Sequence, residues 1–134
     1  HNAVLNANYM MEKLKDLYPM AYDCTCMHEF VMSLEKFHKE NNVSALDVAK
    51  ALLDFGIHPP TMYFPLIVSE ALMVEPTETE SRETLDDAIA AFRKIYDSII
   101  SSPASVSASP VTTPMRRLDE VKAAREPVLK YEFS

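Results

Sequence analysis

The sequence contains a single glycine, Gly56, and no tryptophan. Loops that cradle phosphate need several glycines, because only a backbone without Cβ lets its N–H groups approach the anion closely. One glycine therefore excludes a P-loop and a dinucleotide fingerprint, and it puts the main phosphate site of any cofactor outside this sequence. Cysteine is nearly as scarce. Cys24 and Cys26 are one residue apart, too close to bridge without strain, so there is no disulfide framework and a reducing compartment is the natural reading. Positive charge is also in deficit, with 13 Lys and Arg against 20 Asp and Glu and a net charge of −7. Arg116-Arg117 is the one basic pair, which is not the basic face a nucleic acid requires. No apolar run approaches the roughly 20 residues of a membrane span, and no signal peptide is visible.

What is present is enough apolar content, 48% of 134 residues, for one core of ordinary domain size. Leu, Ile, Val and 8 Met must fill it. Val4, Ala7, Met11 and Leu14 predict an amphipathic helix over 1–17, stopped by Pro19. The chain opens inside this periodic segment without a cap or an initiator Met, as a piece of a longer polypeptide would. Residues 27–34 read as a strand with His28, Phe30, Met32 and Leu34 on one face, and polar Glu35 to Asn42 as a loop. Ser44 and Asp47 resemble a capping box opening a helix over 45–55, with Gly56 as its left-handed terminator.

His58-Pro59-Pro60-Thr61 forms a stiff turn, since two prolines fix two φ angles. Met62–Leu66 and Leu72–Glu75 read as short strands, the first an edge or bulged strand because of Pro65. The stripe Leu85, Ala88, Ile89, Phe92, Ile95, Tyr96 and Ile99 predicts the longest helix. From Ser101 to Pro114 the Ser, Ala, Pro, Val and Thr content predicts an extended linker, followed by one short charged helix within 115–126 and an aperiodic tail to Ser134. The expected fold class is α+β, a small antiparallel sheet covered by helices. Residues 1–102 are expected to form the domain, and 103–134 an extended segment packing on it or on a larger body.

Several constellations have a chemical and a plainer reading. Cys24, Cys26 and His28 alternate along the chain, but a metal would need a fourth ligand and no second Cys/His cluster exists, so no metal site is expected. His28-Glu29 sits beside an apolar run, where the imidazole either meets a cofactor or substrate or is a satisfied, partly buried histidine. Glu75, Glu78 and Glu80 offer carboxylates without a partner base, which suits the positive end of the following helix. Arg117, with Arg116 and Arg125, either clamps a carboxylate or pairs with Asp119 or Glu120. His38-Lys39 resembles the dipeptide that carries pyridoxal phosphate in several aminotransferase-like enzymes. It lies in a polar run, however, where the amine would stay solvated.

Leu5-Asn6-Ala7-Asn8-Tyr9-Met10, His28-Glu29-Phe30-Val31 and the block from Asp47 through Leu53-Asp54-Phe55-Gly56, His58-Pro59-Pro60-Thr61 and Leu72-Met73-Val74-Glu75-Pro76-Thr77-Glu78-Thr79-Glu80-Ser81 together resemble the C-terminal region of the glycine cleavage P-proteins, the decarboxylating glycine dehydrogenases. Phe64-Pro65-Leu66-Ile67-Val68 and Arg116-Arg117-Leu118-Asp119-Glu120 look more like subunit 2 of the two-subunit, prokaryotic form. The resemblance implies the small C-terminal domain of the aminotransferase-like (fold type I) pyridoxal-phosphate enzymes and a cytoplasmic prokaryotic setting. It further implies that glycine is decarboxylated with the cofactor ring as electron sink and the aminomethyl group passes to the lipoyl arm of H protein. The implied partners are the protein's own large domain, glycine dehydrogenase subunit 1 and H protein. The family's cofactor-lysine segment has no counterpart here, so no catalytic residue is expected in this chain and the fragment should be inactive alone. By the same resemblance His28, Glu29, Pro60 and Thr61 are the expected pocket-lining positions, with Tyr63 a further candidate. The alternative is a free-standing, non-catalytic interaction module using the same fold.

Overall fold

A computed structural model describes residues 1–131. The first helix, α1 (Asn2–Leu14), buries Ala7, Met10, Met11 and Leu14 along one stripe. It ends earlier than Pro19 requires because the chain then turns Tyr18 into the core. The Tyr18 hydroxyl donates to the Phe92 carbonyl at 2.8 Å, and its ring meets Phe37, Phe92 and Tyr96 edge-on. Burial, with the charge of Asp97 as a smaller cause, raises the phenol far above its ordinary pKa. It remains a neutral donor.

Three strands, β1 (Phe30–Ser33), β2 (Thr61–Met62) and β3 (Ala71–Val74), form an antiparallel sheet in the order β1-β3-β2. The expected strand over 27–34 is shorter, and His28 lies outside it. The expected strand over 62–66 is shifted and cut to two residues. Tyr63 takes a left-handed φ of 57° and Pro65 has no N–H for a ladder.

The expected loop at 35–42 is instead a helix, α2 (Glu35–Asn41). Its single apolar residue, Phe37, is buried between Tyr18 and Tyr96. Lys39 donates to Glu35 one turn back at 2.7 Å, and Asn42 closes the helix at φ 56°. One aromatic in a polar run shows no periodicity, so tertiary burial decided this element.

Helix α3 (Ala45–Leu53) opens on the expected Ser44–Asp47 capping box, and Gly56 takes φ +72° just beyond it. Helix α4 (Arg82–Ser101) buries Leu85, Ile89, Phe92, Ile95 and Ile99 and is capped by Ser81. The expected extended linker begins with a helix, α5 (Pro103–Ser107). Proline is well placed in a first helical turn, and Val106 reaches the core. A last helix, α6 (Glu120–Arg125), is wholly exposed. The aperiodic tail is described to Tyr131, and 132–134 lie outside the described residues.

The helices cover one face of the sheet. Phe30, Met32, Leu72 and Val74 join the core with residues of α1, α3 and α4. The α+β class and the three-stranded antiparallel sheet are as expected. None of the described helices is long and apolar enough to cross a membrane.

Candidate functional site: a one-sided sheet and its two ends

Strand alternation assigns the other face of the sheet. Val31 pairs with Met73, which pairs with Thr61, so these three form one row across it. All three keep solvent exposure, whereas Phe30, Met32, Leu72 and Val74, which face the helices, are buried; Ala71, paired with Ser33 on the same side as Met73, is buried as well. One face of the small sheet is packed by helices, and the other carries the partly exposed Val31 and Met73.

The register also sorts the expected site residues between two ends of the sheet. Phe30 lies opposite Val74 and Thr61 opposite Met73. His28, Glu29, Pro60 and Thr61 therefore gather at the Val74 end. The start of α1 is at this end too, because the Asn6 side-chain amide donates to the Thr77 carbonyl at 3.0 Å. Asn8 accepts the Cys26 N–H at 3.0 Å and donates to its carbonyl at 2.8 Å, fixing the segment that leads to His28. His28 is exposed, its Nε2 3.9 Å from the Glu29 carboxylate. A groove of about 900 Å³ opens between α4 and the β2 edge, lined in part by Pro59, Pro60, Thr61, Met73, Glu75 and Ala88. Pro60 and Thr61 thus line a cavity, while His28 and Glu29 lie outside it.

Tyr63 and Arg117 belong to the Ala71 end. The Tyr63 N–H donates to the Ala71 carbonyl at 2.8 Å. Arg117 holds a carboxylate of this chain, neither Asp119 nor Glu120: its Nη2 is 2.7 Å from Asp47, and its Nε donates to the Ser109 carbonyl at 2.6 Å. Burial raises the Asp47 carboxyl, but hydrogen bonds from the Ser44 N–H and hydroxyl and the Arg117 guanidinium outweigh it and hold the pKa below the usual carboxylate value. Two turns on, Asp54 accepts the N–H groups of Val111 and Thr112 at 2.8 and 2.7 Å. Burial again works against this carboxylate, and the Thr112 and Val111 donors again win. Asp47 in the first turn of α3 and Asp54 just past its end clasp residues 109–117 as a strap.

The strap gives a prediction with a sign. Arg117→Ala is expected to lower stability at neutral pH by about 1–3 kcal/mol, the usual cost of removing a charged hydrogen-bond partner. A depressed carboxylate stabilises the fold above its unfolded pKa of ~3.9 and loses that contribution as pH falls through the lower folded value. The gap between wild type and variant, read by urea unfolding, should hold from pH 7 to about 5 and narrow below about 4. A gap independent of pH would show that Arg117 acts by packing alone.

The other sequence-marked groups do no chemistry that the geometry supports. Burial, the larger effect, pushes the Cys26 thiol up despite its backbone hydrogen bond, and a thiol held protonated is a poor nucleophile. Among the described residues no three His, Cys, Asp or Glu converge on a metal position. Glu75, Glu78 and Glu80 are exposed, and Ser81 rather than a carboxylate accepts the Thr84 N–H at the mouth of α4. The strap and the Asn6 and Asn8 clamps were missed by sequence reasoning. The Val31–Met73 face was readable from alternation.

Fold and face together define a small α+β domain whose three-stranded sheet is packed by helices on one face. The family model described as glycine dehydrogenase, C-terminal domain, matches residues 1–115, and the chain belongs to that family. A protein of Treponema denticola named "Probable glycine dehydrogenase (decarboxylating) subunit 2" is 58% identical over 130 residues, covering 97% of this chain and 27% of its own length. Same-named proteins of Fervidobacterium nodosum and Bacillus velezensis are 56% and 57% identical, over 97% and 98% of this chain and 27% and 26% of theirs. The chain spans about a quarter of the length of these curated relatives.

Proposed function

We propose that this chain is the small domain of subunit 2 of a two-subunit glycine dehydrogenase (decarboxylating), with the fold type I small-domain architecture. On this reading the complete enzyme decarboxylates glycine and passes the aminomethyl group to the lipoyl arm of H protein, in the cytoplasm of a prokaryote. The observation that carries the reading is the family match over residues 1–115, and the uncovered sheet face supports it.

Pyridoxal phosphate is the cofactor that family membership implies, and the residues described here do not fit as its holder. Lys39 is exposed and held by Glu35, no described lysine is buried, and the one glycine, Gly56, is exposed outside any phosphate-binding loop. We assign that site to the remaining three-quarters of the polypeptide and derive no step through it here. This chain's share is to cover and position. The row Val31–Met73–Thr61 packs on the larger body, and the Val74 end, with His28, Glu29, Pro60 and Thr61, faces its cleft. The Pro59-Pro60 turn suits that place because a preset backbone closes a pocket at low entropic cost. Tyr63 lies just past β2 toward the opposite end, at the margin of this surface. Packing of 103–131 on the domain or on the larger body completes the proposed organisation.

The test is reconstitution. The remaining part of the polypeptide, produced with subunit 1 and H protein, should exchange the glycine carboxyl carbon with bicarbonate when this chain is co-expressed, and lose at least ~100-fold in rate without it. Equal rates with and without the chain would overturn the reading.

A further inference from the structure

Two asparagines of α1 organise the Val74 end of the sheet. Asn8 lies in the middle of the helix, where asparagine is a poorer former than alanine, and its side-chain amide uses both donors and its acceptor. Nδ2 donates to the Val4 and Cys26 carbonyls, each at 2.8 Å, and Oδ1 accepts the Cys26 N–H at 3.0 Å. Cys26 is thereby held at both of its backbone groups, as a neighbouring strand would hold it. The loop containing it leaves the sheet after Ala21, whose N–H donates to the Val31 carbonyl at 2.8 Å, and returns at Phe30, opposite Val74. Among the described residues, the hydrogen bonds that join 22–28 to the rest of the domain are those of Asn8. His28 and Glu29 therefore lie on a short bridge between two fixed points, Cys26 and Phe30, whose reach is at most ~14 Å. Without the Asn8 anchor the free stretch extends back to Ala21, and a longer free loop samples more conformations. Asn6, two residues earlier, acts on the other flank. Its amide donates to the Thr77 and Glu80 carbonyls at 3.0 and 3.3 Å. Thr77 takes φ 65°, which a β-branched residue rarely adopts and which persists only where its surroundings hold it.

We infer, on the functional reading above, that Asn8 is a positioning residue for the reaction: acting through the Cys26 backbone, it sets His28 and Glu29 at the cleft of the complete enzyme. The clamp covers no core. Cys26 is half-buried, and Met27 and His28 beyond it are exposed, so what Asn8 fixes is a solvent-facing loop. Loops held in place by a rigid scaffold are where binding and catalytic groups concentrate. Side-chain packing does not place the pair, because the His28 Nε2 is 3.9 Å from the Glu29 carboxylate, beyond hydrogen-bond reach. Their position comes from the backbone, and the backbone is referred to α1. Asn6 refers the Thr77–Glu80 segment, which lines the groove, to the same helix. Loops on both flanks of the Val74 end thus take their places from one element.

The experiment uses the complete subunit 2 polypeptide that carries this domain, assembled with subunit 1 and H protein, and reads glycine–bicarbonate exchange. Asn8→Ala is expected to lower kcat about 100-fold, the effect of misplacing a positioned group by about 1 Å, with KM for glycine within about threefold of wild type. The thermal midpoint of subunit 2 should move by no more than about 3 °C. Asn8→Asp, which keeps the acceptor for the Cys26 N–H, should recover about tenfold of the lost rate. A double-mutant cycle then separates positioning from general support of the fold. The variant His28→Ala, Glu29→Ala should itself lose at least ~100-fold, and adding Asn8→Ala to it should lower kcat less than about threefold further, because the clamp has nothing left to place. Losses that multiply would overturn the inference. So would Asn8→Ala within twofold of wild type, or full activity of the His28→Ala, Glu29→Ala variant. If Asn8→Ala lowers the midpoint further than stated, Asn8→Asp takes its place in the cycle and is judged by the same outcomes. An inactive wild-type assembly overturns the functional reading and this inference with it, whereas an active one with multiplying losses overturns the inference alone.

Discussion

Phe37→Ala is expected to destabilise the isolated domain by about 3–5 kcal/mol, the range for removing a buried aromatic ring. The ring is 3% exposed and meets Tyr18 and Tyr96 edge-on with centroids 5.7 and 5.8 Å away. Aromatic pairs in this geometry contribute beyond their buried area. Phe37 is also the one buried residue of α2, and a seven-residue helix has little stability of its own. Losing the ring therefore opens a cavity and frees the helix together. For a domain with ~5–15 kcal/mol of total stability this is a large fraction, and urea unfolding monitored by circular dichroism measures it. A cost below about 1 kcal/mol would mean that α2 does not depend on the core. Tyr18→Phe gives a smaller companion effect, about 1–3 kcal/mol, because the Phe92 carbonyl loses its buried donor while the ring stays in place.

Met73→Asp should separate folding from function. Met73 is half-buried at the centre of the uncovered face, between Val31 and Thr61. In the isolated domain Met73 is partly exposed beside the open groove, so an aspartate there keeps partial access to water and costs about 1–2 kcal/mol. Against the larger body it buries an unpaired carboxylate, which close packing does not tolerate. Misplacing a positioning element by about 1 Å costs on the order of 100-fold in rate, so the exchange rate of the assembled enzyme should fall by at least ~100-fold. Activity within a few-fold of wild type would place the uncovered face against solvent.

The residues that announced their structure did so through local chemistry. Ser44 and Asp47 could be read as a helix start because each satisfies the other's backbone N–H, and the α4 stripe because four turns repeat the apolar spacing. Phe37 and Val106 could not be read this way. Each is the one buried residue of a short helix, and a single apolar position has no period. The strap was hidden for a related reason, since Arg117 pairs with Asp47, 70 positions away, while Asp119 and Glu120 stand beside it in sequence. Of the candidate site, the motifs at His28-Glu29 and Pro59-Pro60-Thr61 were legible, but their common end of the sheet depends on the β1-β3-β2 register. The family resemblance was legible because its motifs fall in fixed order over most of residues 3–90, and the comparison with known proteins bears it out.

Amide hydrogen exchange compares the chain alone with the chain assembled on the remainder of its polypeptide and subunit 1. If the uncovered side of the sheet closes against a larger body, protection should rise at Glu29–Val31, at the β2 edge from Thr61 to Met62 and around Met73, by 100-fold or more on the scale set by sub-global opening. Amides inside α4 should change little. Restored glycine–bicarbonate exchange with unaltered protection at these strands would contradict the account.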